Sequence, residues 1–284
     1  MNILSIQSSV AYGYVGNSAA VFPLQRLGIE VWPVNTVHFS NHTGYGAWRG
    51  PLLAADDVRE VIQGVEERGA LARADAVLSG YQGGEEVGAV VLDAVARVKE
   101  LSPGAVYCCD PVMGDVGRGF FVRPGIPEFM RDQVVPRADI ITPNHFELDF
   151  LAGTTTRTLD DVLAAIDDVR ARGPQDVLVT SVLHEATEPG TVDMVAAGAD
   201  GAAYAVTTPL LPILPNGCGD VTAALYLAHL HSTGSPATAL SRVAASVFAV
   251  LERTIAAGTR EIQLIASQED IAHPTERFAV RQVR

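Results

Sequence analysis

At 284 residues, 48% of them hydrophobic, the chain is long enough for one large domain or two modest ones and apolar enough to build a core. A formal net charge of −13 with a single lysine, Lys99, opposes nucleic-acid backbones and anionic bilayers, and no apolar run is long and charge-free enough to cross a membrane. The opening MNILSIQSS lacks the basic stretch and cleavage signal of a secreted precursor, so a cytoplasmic protein is expected, with neither nucleic acid nor membrane as partner.

In chain order, Asn2 to Gln7 (NILSIQ) reads as a strand, and Gly16 to Gly28 as a helix from its start to its end, despite Pro23 inside. Glu30 to Val37 is extended again. From Ala55 to Arg68 the recurrence of Val58, Ile62 and Val65 predicts a helix. Ala74 to Tyr81 (ADAVLSGY) then enters a buried strand, and Val87 to Val98 forms a second amphipathic helix. AVYCCDPVMGD (Ala105 to Asp115), ADIITPN (Ala138 to Asn144) and DVLVTS (Asp176 to Ser181) repeat the pattern of an apolar strand ending in a polar loop. Helices are expected near Thr158 to Arg172, Gly219 to His231 and Pro236 to Arg253, and an antiparallel hairpin within Met194 to Pro215. Val221, Ala224, Leu225 and Ala228 give the Gly219–His231 helix one buried face. Continuous apolar strands separated by helices predict an α/β fold, a three-layer α/β/α arrangement with a mostly parallel sheet. No composition shift divides the chain, so a single domain over residues 1–284 is expected.

Ligands of open α/β sheets collect beyond the carboxyl ends of the strands. Those ends supply Ser8, Tyr81, Asp110, Asn144 and Thr180, while Asp220 stands at a helix entrance behind Gly217-Cys218-Gly219. Two readings of Asp220 compete: a carboxylate capping free helix N–H groups, or a proton acceptor beside a backbone anion hole. For phosphoryl transfer the Gly217, Cys218 and Gly219 backbone would hold the moving charge and Asp220 would deprotonate an acceptor hydroxyl. Asp110 and Asp115 in DPVMGD, with Asn144 and Glu147 in NHFE, can arrange Mg2+ around ATP; otherwise they end strands and cap helices. FSNHTGYG (Phe39 to Gly46) or Tyr81 can hold a flat aromatic molecule. His38 and His42 read as satisfied loop histidines, and Tyr12 and Tyr14 as packing or ligand-facing residues. Cys108 and Cys109 lie together in a strand with Cys218 far away, which matches neither a disulfide framework nor zinc spacing. The chain has no lysine-containing phosphate loop, dinucleotide fingerprint or serine elbow.

The ordered set IQSSVAYGYVGN, FSNHTGYG, LSGY, DPVMGD, TPNHFE and GCGD, from Ile6 to Asp220, closely resembles the pyridoxal kinase family of the ribokinase-like superfamily. The resemblance implies ATP-dependent phosphorylation of the 5'-hydroxymethyl group of pyridoxal, with pyridoxine and pyridoxamine as related substrates, by a homodimer with a complete site in each protomer. It makes Asp220 the catalytic base, Gly217 to Gly219 the anion hole, and Ser8, Val15, Thr43 and Tyr81 vitamin-site positions. It gives Asp110, Asp115, Asn144, Glu147, Thr180 and Ser181 to the ATP side, with Asp110, Glu147 and Thr180 toward a metal ion, Mg2+ and in some members a monovalent ion such as K+. Cys218 is an unusual middle residue of the GxGD motif, and Ser9 replaces a histidine often found after the first substrate serine. A hydroxymethylpyrimidine kinase, or a vitamin-binding regulatory protein, stays open as the alternative.

Overall fold

The computed structural model describes residues 1–213 and 215–284; Leu214, at the head of the GCGD segment, lies outside the described residues. The chain alternates strands and helices in its first half: β1 (Asn2–Val10), α1 (Asn17–Arg26), β2 (Glu30–Phe39), α2 (Ala55–Glu67), β3 (Ala76–Ser79), α3 (Glu85–Leu101) and β4 (Val106–Cys109). A small hairpin of β5 (Gly114–Asp115) and β6 (Gly119–Phe120) leads to α4 (Ile126–Phe129), β7 (Ile140–Ile141), α5 (His145–Ala152) and α6 (Leu159–Arg170). Three longer strands follow, β8 (Asp176–Val182), β9 (Thr191–Ala197) and β10 (Ala203–Pro209), then α7 (Cys218–Thr233), α8 (Pro236–Ala257), α9 (Gln268–Ala272) and β11 (Val280–Gln282).

Among the described residues one sheet runs β11-β10-β9-β8-β7-β4-β3-β1-β2. Pairing is parallel from β2 through β8 and antiparallel from β8 through β11. Residues alternate across it into two buried layers, as the period of two requires. Leu4, Ile6, Val77, Cys109 and Ile141 face α2, α3, α5 and α6, whereas Ile3, Ala76, Leu78, Cys108 and Ile140 face α1, α7 and α8. The adjacent cysteines thus pack in opposite layers. The expected mostly parallel α/β/α architecture is what forms.

Three expectations need correcting. α7 has no polar face: every residue from Val221 to His229 is buried, because the helix runs between α1 and α8 over the sheet, and a helix covered on all sides needs no amphipathic stripe. The strand expected over Ala138 to Asn144 shrinks to Ile140–Ile141, since Asn144 caps α5, an element the apolar run HFELDFLA hides from a periodicity reading. The hairpin expected from Met194 starts earlier, at Thr191, and pairs Thr191–Ala197 with Ala203–Pro209.

Candidate active site

The loop after β1 and the carboxyl end of β4 meet the start of α7, and β3 and β7 end on the same side of the sheet. In the β1–β2 ladder the register shifts between Gln7 and Ser9, so Ser8 sits in an irregularity, buried, where the strand turns toward α1. α1 begins at Gly16 with φ of 54°. A Cβ at Gly16 would lie 2.2 Å from the Ser8 carbonyl oxygen and 2.4 Å from its Oγ, so only glycine allows this approach. Asn17, next along, donates to the Val34 carbonyl at 3.0 Å and the Asn35 Oδ1 at 2.9 Å, and accepts from Ser5 Oγ at 2.7 Å. This buried network fixes the first helical turn to both strands.

The GCGD segment forms a turn and then a helix. Gly217 precedes α7 with φ of 90°, and a Cβ on it would lie 1.9 Å from the Tyr14 carbonyl oxygen, so the β1–α1 loop packs directly on the turn. No side chain caps this helix end. Asp220 is the third residue of α7; burial, offset in part by the nearby backbone N–H groups of Gly16 and of Asp220 itself, pushes its pKa up to about 6. Asp220 lies in the first turn of α7, where a carboxylate is favoured by the helix dipole whichever of the two readings of it holds. Gly16, at the start of α1, packs directly on Ser8 and lies near Asp220, and sequence reasoning missed it; its signal was the glycine of GYVGN. Cys218 is partly buried. Burial and the neighbouring Asp220 charge push its thiol up to about 12, the opposite of what a nucleophilic thiolate needs.

Asp110, buried just past β4, accepts from Thr142 Oγ1 at 3.2 Å and turns Oδ2 toward Gly219, 3.6 Å from where a Cβ would stand. Burial raises its pKa well above the usual carboxylate range, with the charges of Glu147 and Asp220 adding to the effect. Glu147 is buried and its oxygens are engaged by backbone: Oε1 accepts from Met113 N–H at 2.8 Å and Gly114 N–H at 3.3 Å, and Oε2 from Asn144 N–H at 2.9 Å. Burial outweighs these three donors and pushes its pKa up to about 7. Asn144 accepts from Glu147 N–H at 2.9 Å, completing a capping box on α5, and donates to the Gly114 carbonyl at 2.8 Å. In this structure Glu147 and Asn144 act as scaffold, pinning the β5–β6 hairpin to α5. Thr180 bridges to Asn144 at the bulge of β8. Ser181 beside it holds φ of 55°, and among the described residues it is the one non-glycine with positive φ. Asp115 turns Oδ1 to its neighbour Val116 N–H at 2.7 Å.

The remaining expected vitamin-side positions lie on three separate segments. Val15 is buried in the β1–α1 loop. Tyr81 is half-buried after β3, its carbonyl accepting from Thr36 Oγ1 at 3.0 Å, and burial raises its phenol pKa. Thr43 is exposed in a short turn, Thr43–Tyr45. His42 is satisfied locally, its Nδ1 accepting from Gly44 N–H at 3.1 Å. The arrangement places a carboxylate of raised pKa at a helix N-terminus, with the buried Asp110 beside the same turn. Among the described residues no group of three His, Cys, Asp or Glu donors is placed to hold a metal unaided. The donor set suits a hard cation that takes one or two protein oxygens and completes its shell with phosphate and water.

Residues 72–264 match the family model described as phosphomethylpyrimidine kinase. The chain is 62% identical over 284 residues to a pyridoxal kinase PdxY of Rubrobacter xylanophilus, covering 100% of this chain and 98% of the relative. It is 59% identical to a pyridoxal kinase PdxY of Leifsonia xyli, with 100% of both chains covered. The structure of pyridoxal kinase from Leishmania donovani in complex with ADP and pyridoxamine superposes with a TM-score of 0.93 at 29% identity, covering 100% of this chain and 99% of that one. The chain belongs to the pyridoxal kinase family of the ribokinase-like superfamily.

Proposed function

We propose that this chain, acting as one unit over residues 1–284, transfers the terminal phosphoryl group of ATP to the 5'-hydroxymethyl group of pyridoxal. The observation that carries this reading is the placement of Asp220 in the first turn of α7, directly after the Gly217–Gly219 turn that packs on the Tyr14 carbonyl and lies beside Asp110 Oδ2; burial raises its pKa to about 6. A base with that pKa is ionised at neutral pH yet retains proton affinity. Asp220 takes the proton of the acceptor hydroxyl as it attacks, and the Gly217–Gly219 backbone at the helix N-terminus receives the charge that builds on the transferred group. Ser8, Val15, Thr43 and Tyr81 hold the pyridine ring.

Asp110, with Oδ2 toward Gly219, and Thr180 are the residues we assign toward Mg2+, with Glu147 steadying the site from one step behind. Asp115, Asn144 and Ser181 shape the nucleotide side of the cleft. When bound, the cation supplies charge neutralisation of the phosphate oxygens. The placement of Asp110, with Oδ2 toward Gly219 and the charges of Glu147 and Asp220 near it, supports this assignment, since a cation relieves that crowding. A K+ ion beside the nucleotide, a homodimeric assembly and a cytoplasmic location belong to the same reading. Among the described residues no helix is long and apolar enough to cross a membrane.

Hydroxymethylpyrimidine is the competing acceptor, equally able to present a hydroxymethyl group to Asp220. A competition assay with Mg2+-ATP and K+, containing pyridoxal, pyridoxine, pyridoxamine and hydroxymethylpyrimidine, distinguishes them when the products are resolved by mass. Pyridoxal 5'-phosphate is the expected product formed faster than phosphorylated pyrimidine. Faster pyrimidine phosphorylation would overturn the substrate, and binding without any product would point to a regulatory protein.

A further inference from the structure

Arg260 and Glu261 follow α8, more than two hundred residues along the chain from the vitamin-side loops that they touch. Tyr45 Oη donates to Glu261 Oε1 at 2.6 Å, and Tyr14 N–H donates to Glu261 Oε2 at 3.2 Å. One carboxylate therefore joins the turn carrying Thr43 to the loop carrying Val15. Arg260 adds a second attachment, donating from Nη2 to the Gly44 carbonyl at 2.7 Å with its guanidinium 4.3 Å above the Tyr45 ring. Gly13 makes room: a Cβ there would lie 2.2 Å from Glu261 Oε2. Behind the pair, Ile262 is fully buried and reaches to 3.1 Å of where a Gly217 Cβ would stand, against the anion-hole turn. Gln263 N–H donates to Thr254 Oγ1 at 3.1 Å, tying the segment back to α8.

We infer that Arg260 and Glu261 form a positioning clasp that holds the 40–46 loop over the acceptor side of the cleft, so that vitamer affinity depends on a contact made by the C-terminal part of the chain. Residues 43 to 50 are all exposed, so burial cannot fix this loop in place; hydrogen bonds to a partly buried anchor do so instead. The inference rests on the proposed pyridoxal kinase activity for its kinetic consequence, and on geometry alone for the tether. Neither residue touches the nucleotide-side groups Asp110, Asn144 or Thr180, so the effect falls on one substrate.

The test uses Tyr45→Phe, which removes only the hydroxyl, Glu261→Ala, and the double variant. Losing a hydrogen bond to a charged acceptor at a partly exposed position raises the pyridoxal KM about 3- to 10-fold, while kcat and the KM for ATP stay within about twofold. If the hydroxyl acts through Glu261, Tyr45→Phe adds nothing further in the Glu261→Ala background. Hydrogen exchange on ligand-free protein supplies a readout independent of catalysis: the amides of Tyr45 and Gly46, which bond within the turn to His42 and Thr43, exchange faster in both single variants. Unchanged exchange, additive effects, or an equal rise in the KM for ATP would overturn the clasp. Faster exchange in the variants of a wild-type protein that fails to phosphorylate pyridoxal would instead refute the substrate assignment and leave the tether standing.

Discussion

Replacing Asp220 with asparagine separates the chemistry of this carboxylate from its effect on folding. Its pKa of about 6, against an ordinary 3.8, means that the folded protein resists the ionised form. That difference corresponds to about 3 kcal/mol at roughly 1.4 kcal/mol for each pKa unit. Because the folded pKa lies above the unfolded one, the folded state binds the proton more readily between pH 4 and 6. Stability is therefore lost as the pH rises through that window and stays lost above it. The substituted amide carries no charge and keeps an acceptor oxygen for the backbone N–H groups near the carboxylate. The ligand-free variant should be more stable than wild type above pH 7 by about 1–3 kcal/mol. That is a Tm higher by roughly 2–6 °C, with the gain vanishing near pH 4. Over the same comparison, phosphoryl transfer should fall by about 10²-fold or more, because no group remains to accept the hydroxyl proton. Thermal unfolding from pH 4 to 8, paired with pyridoxal 5'-phosphate formation and direct vitamin binding, measures all three quantities. Near-normal turnover in a folded variant would refute the base assignment. A stability gain equal at pH 4 and pH 8 would refute the electrostatic account.

Gly16→Ala should destabilise the chain by at least about 2 kcal/mol, since a Cβ collides with Ser8 and φ is positive; a melting curve checks it, and turnover should fall because Ser8, a proposed vitamin-side residue, must shift to make room. Cys218→Ala should keep kcat within several-fold of wild type, roughly the scale of a side chain that contributes only through its backbone, and Cys218 should alkylate slowly at pH 7.5 because its thiol is pushed up to about 12. Rapid alkylation that blocks turnover would contradict this.

The sequence revealed most of the layers because strand and helix periods differ and the apolar runs are long. α2, α3 and α6 were legible from spaced valines and isoleucines, and β1 and β8 from continuous apolar residues between polar ends. What failed depended on neighbours. α7 is buried on every side because α1 and α8 enclose it, so its pattern carries no direction. β11 pairs with β10 through three residues near the chain end and has little pattern to read at all. The β5–β6 hairpin exists because Glu147 and Asn144 grip the backbone of 113 and 114 from α5, a contact across more than thirty residues that composition cannot express.

The candidate site divides in the same way. Asp220, Asp110 and the glycines of GCGD were legible as chemical types at strand and helix ends, where open sheets collect ligands. Their partners were not. Thr142 on Asp110, Gly16 near Asp220 and Glu261 on Tyr45 are ordinary residues made specific by distance. The carboxylates also show why position outweighs type. The family resemblance put Glu147 and Asp110 alike toward a metal ion, yet three backbone N–H groups occupy the oxygens of Glu147. The single hydroxyl donor on Asp110 leaves Oδ2 turned to the anion-hole turn. Two buried carboxylates thus differ in their surroundings because the backbone satisfies one and leaves the other with a single hydroxyl donor, and that difference is why Asp110 rather than Glu147 is the one proposed to meet a cation.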